Sequence, residues 1–146
     1  MTANLAKAGA ALPFLDAVKD LLVDALGSRL TPGVTGYMDL FAEDGVLETP
    51  YVAPGSNSHL QGKSAIAGFL DTLGGVIRLA DFHLLAAYTA QDGVTVLEYE
   101  GTVHLEKQGT QFHQRYISVL RLQGGRLALW REYTNPLAAQ SASAAP

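Results

Sequence analysis

Leu127-Ala128-Leu129-Trp130-Arg131-Glu132-Tyr133-Thr134 is the stretch on which the reading of this chain turns. As a strand it places Ala128, Trp130, Glu132 and Thr134 on one face and Leu127, Leu129, Arg131 and Tyr133 on the other. A carboxylate two residues from the chain's single tryptophan, on one face of a strand, is an unusual arrangement. If that face lines a cavity, loss of water around Glu132 raises its pKa toward neutrality and fits it to carry protons. If an arginine answers it instead, with Arg115 on the neighbouring strand as a partner, the pair is structural.

The period of two extends upstream. Breaks at Gln123-Gly124-Gly125, Gln108-Gly109 and Gln91-Asp92-Gly93 separate strands over 126–134, 110–122, 94–106 and 82–90, and the short gaps make a consecutive antiparallel meander. Before Asp81 the period is 3.6. Phe14, Val18, Leu21, Leu22, Ala25 and Leu26 oppose Asp16, Lys19, Asp20 and Asp24, which predicts a helix over 13–26 with Pro13 at its start and Gly27 at its stop. Thr31-Pro32 opens a second helix, with Val34, Tyr37, Met38 and Phe41 as its stripe and an end near Ala42. Asp44-Gly45 then turns into a short strand over 46–51, which Pro54-Gly55 terminates before a polar loop. A third helix begins near Lys63, carries Ile66, Phe69, Leu70 and Leu73, and closes at Gly74-Gly75. The expected class is α+β: three N-terminal helices packed on a curved, mostly antiparallel sheet that forms a cone-shaped pocket. Residues 1–146 read as a single domain, with 1–11 and the Ala/Ser-rich 138–146 as flexible ends. Helices on one sheet face leave the other to be covered, which predicts a homodimer.

Composition narrows the function classes. The chain has 146 residues, 48% of them hydrophobic and 16% charged, with a formal net charge of −4. That excludes intrinsic disorder and leaves surplus apolar surface for a ligand cavity, a subunit interface or both. No cysteine means no disulfide, no thiolate nucleophile and no Cys-ligated zinc. Mild acidity without a Lys/Arg cluster argues against nucleic acid, and no apolar run reaches the roughly 18 residues of a membrane helix. The apolar run 8–15 lacks a small-residue cleavage pattern, so a cytoplasmic location is expected.

Motif tests are mostly negative. Gly62-Lys63-Ser64 lacks the earlier glycine of a phosphate loop, since Asn57 stands there. No serine sits in a G-x-S-x-G elbow. His59, His83, His104 and His113 show no H-x-x-x-H spacing, and His104 with Glu106 makes at most two ligands, so no metal is expected.

Phe41-Ala42-Glu43-Asp44-Gly45-Val46, Glu48-Thr49-Pro50-Tyr51, Pro54-Gly55, Gly62-Lys63-Ser64-Ala65-Ile66 and Trp130-Arg131-Glu132-Tyr133-Thr134-Asn135-Pro136-Leu137 carry a resemblance in their order and spacing. Over residues 12–137 the chain resembles the nuclear-transport-factor-2-like cone superfamily, and within it the SnoaL-like polyketide cyclase, phenazine-biosynthesis A/B and ketosteroid-isomerase-like group. The resemblance implies a site inside the cone with an acid or base on the concave face, and no cofactor. Glu132 matches the acidic position of the last-strand motif, and His83 matches a histidine of the phenazine-biosynthesis relatives. Those two are the expected catalytic residues. Tyr99, Tyr116, Trp130, Tyr37, Tyr51, Thr49 and Arg115 are the expected substrate-binding ones, and Tyr37 also fits a core position. Limonene-type epoxide hydrolases share the fold, but their middle-strand Arg and Asp fall on Tyr99 and Gly101 here. One acid without those partners cannot both activate water and protonate the departing oxygen.

Two readings stay open. In one, Glu132 moves a proton beside the carbonyl or imine of a hydrophobic, polyketide-like substrate, as an isomerase or cyclase does, with His83 as partner. In the other, the cone holds a hydrophobic ligand without chemistry and Glu132 serves an arginine. A raised Glu132 pKa favours the first and a depressed one the second.

Overall fold

The computed structural model describes residues 12–144. Residues 1–11, one of the two ends expected to be flexible, lie outside them, as do 145–146. The first amphipathic segment forms a 3-10 turn, Pro13–Leu15, that runs into helix α1, Asp16–Leu26. Val18, Leu22 and Leu26 are its buried stripe, and Gly27, at φ 55, ends it.

The second helix does not form. In its place are a 3-10 turn, Tyr37–Leu40, and strand β1, Phe41–Glu48, which starts earlier than the sequence pattern indicates. Gly33, at φ 97, and Gly36 interrupt the helical run, and the Asp39 carboxylate accepts from the backbone N–H groups of Thr35 and Gly36 at 2.9 Å each. Tyr37, Met38 and Phe41 are still buried, so the apolar stripe serves a tight turn followed by a strand. Strand β2, His59–Gln61, lies in the expected polar loop and is too short to show a period. Helix α2, Lys63–Leu73, follows as expected.

The meander is β3, Ile77–Thr89, β4, Thr95–Leu105, β5, Thr110–Gln123, and β6, Arg126–Thr134. Together the strands make one six-stranded sheet in the order β2-β1-β6-β5-β4-β3, antiparallel except where β1 runs parallel to β6. A final helix α3, Pro136–Ala144, forms where composition predicted a flexible tail. The Asn135 side chain accepts from Leu137 N–H at 3.0 Å, Pro136 suits the first turn, and alanine is the best helix former. The two main helices and the Tyr37 turn cover one sheet face, and this arrangement is the expected α+β cone with two main N-terminal helices rather than three.

Trp130 is fully buried in that layer, its ring 5.1 Å from Tyr37 and stacked on Phe41 at 5.9 Å. The opposite face carries exposed apolar groups, Tyr88 at 56% and Ile117 at 42% among them.

β3 has two register shifts against β4, and the first decides which way Phe82 and His83 face. Ala80 pairs with Thr102 and His83 with Glu100, so Asp81 and Phe82 together oppose Gly101. Asp81 absorbs the extra residue at φ 57. Phe82 thereby turns inward, into the space that a side chain at position 101 would fill, and His83 turns outward.

Candidate functional site

The helices and the concave sheet face enclose a cavity of about 550 Å³. Leu15 and Val18 line it from the α1 side, Leu70 and Leu73 from α2, and Phe82, Tyr116, Glu132 and Thr134 from the sheet. The segment around Tyr51, Ser56 and Asn57 and the α3 residues Pro136 and Ala139 complete the wall.

Strand alternation puts Glu132 on this wall. Ser118 of β5 pairs with it, and Tyr116 pairs with both Thr134 and Tyr99. The Tyr99 ring stacks on Tyr116 with centroids 4.9 Å apart and planes 6° from parallel, which brings the Tyr99 hydroxyl across to β6.

A directed hydrogen-bond chain results. Trp130 Nε1–H donates to Ser118 Oγ at 2.9 Å, Ser118 Oγ lies 2.8 Å from Tyr99 Oη, and Tyr99 Oη donates to Glu132 Oε2 at 3.0 Å. An indole only donates and an ionised carboxylate only accepts. With one proton on each hydroxyl between them, every link is filled only if Ser118 donates to Tyr99 and Tyr99 to Glu132. The chain holds Oε2 as an acceptor and leaves Oε1 as the oxygen free to take a proton.

Burial pushes the Glu132 carboxyl up to about 7, and the Tyr99 hydrogen bond only partly opposes it. No ion pair among the described residues involves Glu132. Arg115, the partner that a structural role would need, lies 3.8 Å from Glu100 on the other face. Burial, helped by the nearby Glu132 charge, also drives the phenols of Tyr37 and Tyr116 well above their ordinary range, so both remain neutral donors at the cavity wall. A carboxyl that is half protonated near neutral pH, in apolar surroundings with phenols beside it, can take a proton from a C–H group and return it.

The expected site residues divide into three groups. Glu132, Tyr37, Tyr116, Tyr51 and Thr49 line the cavity together, and Tyr37 is both core and wall. Tyr99 and Trp130 are fully buried behind the wall, where Tyr99 holds Glu132 directly and Trp130 supports Tyr99 through Ser118. His83 and Arg115 are not at the cavity. His83 Nε2 lies 3.6 Å from Glu100 on the outer face, where His113 Nε2 also reaches Glu100 at 2.8 Å, so the structure separates His83 from Glu132.

Two cavity-side residues escaped the sequence reading. Ser118 shares the alternation of Tyr116 and was legible once β5 was drawn. Phe82 was hidden by the bulge. No group of three or more metal-ligating side chains occurs among the described residues. No described helix is long and apolar enough to cross a membrane.

The SnoaL-like domain family matches residues 21–130. The uncharacterised Bacillus subtilis protein YesE is 32% identical over 114 residues, 77% of this chain and 78% of its own length. An uncharacterised PhzA/B-like protein of Pseudomonas aeruginosa is 32% identical over 126 residues, 82% of this chain and 84% of its own. A crystal structure from Bacillus subtilis named as a candidate isomerase is 27% identical, covers 92% of each chain and superposes with a TM-score of 0.72. The fold is that of ketosteroid isomerase-like and nuclear-transport-factor-2-like proteins.

Proposed function

The chain belongs to the SnoaL-like domain family, and from that premise we propose that it is a cofactor-independent acid/base enzyme of the isomerase or cyclase type acting on a hydrophobic small molecule. Glu132 is the proton carrier. It removes a proton from a carbon beside a carbonyl or imine and delivers it elsewhere on the same molecule. Tyr37 and Tyr116 donate to the charge that develops on a carbonyl oxygen, a role for which Tyr99 is already committed to Glu132. Thr49 and Tyr51, near the edge of the apolar wall, help orient the substrate.

One observation carries the reading: a carboxyl on an apolar cavity wall, with no cationic partner among the described residues and a pKa of about 7. A carboxylate kept for structure is normally paired and pushed the other way. Epoxide hydrolysis has no support, because Tyr99 and Gly101 occupy the middle-strand positions where that chemistry needs an Arg and an Asp.

The test is proton exchange. A panel of aromatic and alicyclic ketones and imines is incubated in deuterium oxide and followed by NMR. Wild-type protein is expected to speed exchange at the activated carbon, and Glu132→Gln to lower that rate at least about a hundredfold. Equal rates for the two proteins would remove Glu132 from the chemistry and leave a ligand-binding role for the cavity.

A further inference from the structure

Among the described residues, Glu132 and tyrosines are the only titratable side chains on the cavity wall, which takes no lysine, arginine or histidine from them. The described lysines and arginines all lie elsewhere, for example Arg131 on Glu48 at 2.9 Å and Arg78 on Glu106 at 2.9 Å. Every element around Glu132 agrees: Val18 from α1 and Leu70 from α2 are apolar, and Tyr37, Tyr99 and Tyr116 from the turn and sheet are neutral phenols. Once ionised, Glu132 faces the cavity without a counter-charge from the described residues.

A charge held away from water without a partner is costly. A ligand of opposite sign removes that cost, and a second negative charge increases it. Five aromatic rings, Tyr37, Tyr51, Phe69, Phe82 and Tyr116, line the same cavity, and such rings attract organic cations. We propose that the cavity takes apolar molecules whose buried end carries a cationic nitrogen, an ammonium or a protonated imine, and rejects carboxylates and phosphates.

For a protonated imine this deepens the proton-transfer reading and rests on it. Glu132 Oε1 takes the proton from the carbon next to C=N⁺. The C–H electrons become a C=C bond and the C=N π pair moves onto nitrogen, which gives a neutral enamine and a neutral carboxylic acid. Two opposite charges cancel in a medium of low polarity, the direction that such a wall favours.

The experiment compares three probes of similar size by calorimetric titration: phenyltrimethylammonium, its neutral isostere tert-butylbenzene, and benzoate. At about pH 8.5, where Glu132 is ionised, the cation is expected to bind at least about tenfold tighter than the isostere, with no measurable benzoate binding. At about pH 5.5 the preference is expected to fall below about twofold, since the carboxyl is then protonated. Glu132→Gln is expected to hold it below about twofold at both pH values, the part that the rings alone supply, and the wild-type pH comparison stands alone if that variant does not fold. Equal affinities for cation and isostere at the higher pH, a preference undiminished in Glu132→Gln, or tight benzoate binding would each overturn the proposal. Exchange catalysis without cation preference rejects only the substrate class, whereas cation preference without exchange rejects the proton-transfer reading instead.

Discussion

Tyr99 donates its hydroxyl proton to Glu132 across 3.0 Å, although the two side chains belong to β4 and β6, with β5 between them. The Tyr99 ring spans the intervening strand, and Ser118 of that strand fixes the direction of donation. A carboxylate that accepts such a bond is stabilised in its charged form, so the raised pKa of Glu132 is a balance between burial and this donor.

That balance predicts the effect of Tyr99→Phe. Without the donor, the Glu132 midpoint is expected to rise further, by about one unit, and the acidic arm of the pH profile, where the base becomes protonated, to follow it. Ser118→Ala is expected to shift it the same way by less, because Tyr99 loses its donor but keeps its proton for Glu132. Carboxyl ¹³C NMR titration reads both. A midpoint unchanged in Tyr99→Phe would show that the chain does not tune Glu132.

Stability should depend on pH through the same group. The folded midpoint of about 7 lies above the unfolded value of 4.5, so between those values the folded state holds a proton that the unfolded chain has lost. Stability from this group is therefore full below the lower value and falls as pH rises to the upper one. Glu132→Gln is expected to stabilise the protein by roughly 1–3 kcal/mol at about pH 8 and by little at about pH 4. Denaturant melts at the two pH values check the sign.

His83→Ala is expected to leave proton exchange within about twofold of wild type, since His83 faces Glu100 on the outer surface. A large loss of kcat would return His83 to the chemistry and contradict the direction that the β3 bulge gives it.

Gly101→Ala places a methyl group inside the space of the Phe82 ring. Phe82 belongs to the cavity wall and packs 5.5 Å from Tyr116, so the ring must move into the cavity or the strand must shift. A loss of about 1–3 kcal/mol is expected, with weaker ligand binding, both measurable by thermal melts with and without a probe ligand.

The exposed apolar residues of the outer face are expected to hold two copies of the chain together. Ile117→Asp at this face is expected to convert a dimer into a monomer in sedimentation at micromolar concentration. A wild-type monomer at that concentration would refute the expectation.

The sequence by itself determined the α+β class, the meander and the pairing of Trp130, Glu132 and Thr134 on one face. These follow from local periodicity and turn residues, and strand β6 runs over Arg126–Thr134 as its alternation indicates. The pattern of apolar residues and composition missed the segment before β1, where Gly33, Gly36 and the Asp39 carboxylate locally outweigh a helical stripe, and the final helix, where Asn135 caps an alanine-rich run. Tertiary structure alone decided the fate of the candidate site. Glu132, Tyr116 and Tyr37 converge because register and packing bring β5, β6 and the Tyr37 turn to one cavity, while His83 leaves it because Asp81 adds one residue to β3. With a period of two, one inserted residue exchanges inside for outside until the next irregularity, which in β3 comes between Leu84 and Ala86, and the backbone conformation that absorbs it leaves no mark in the pattern of polar and apolar residues.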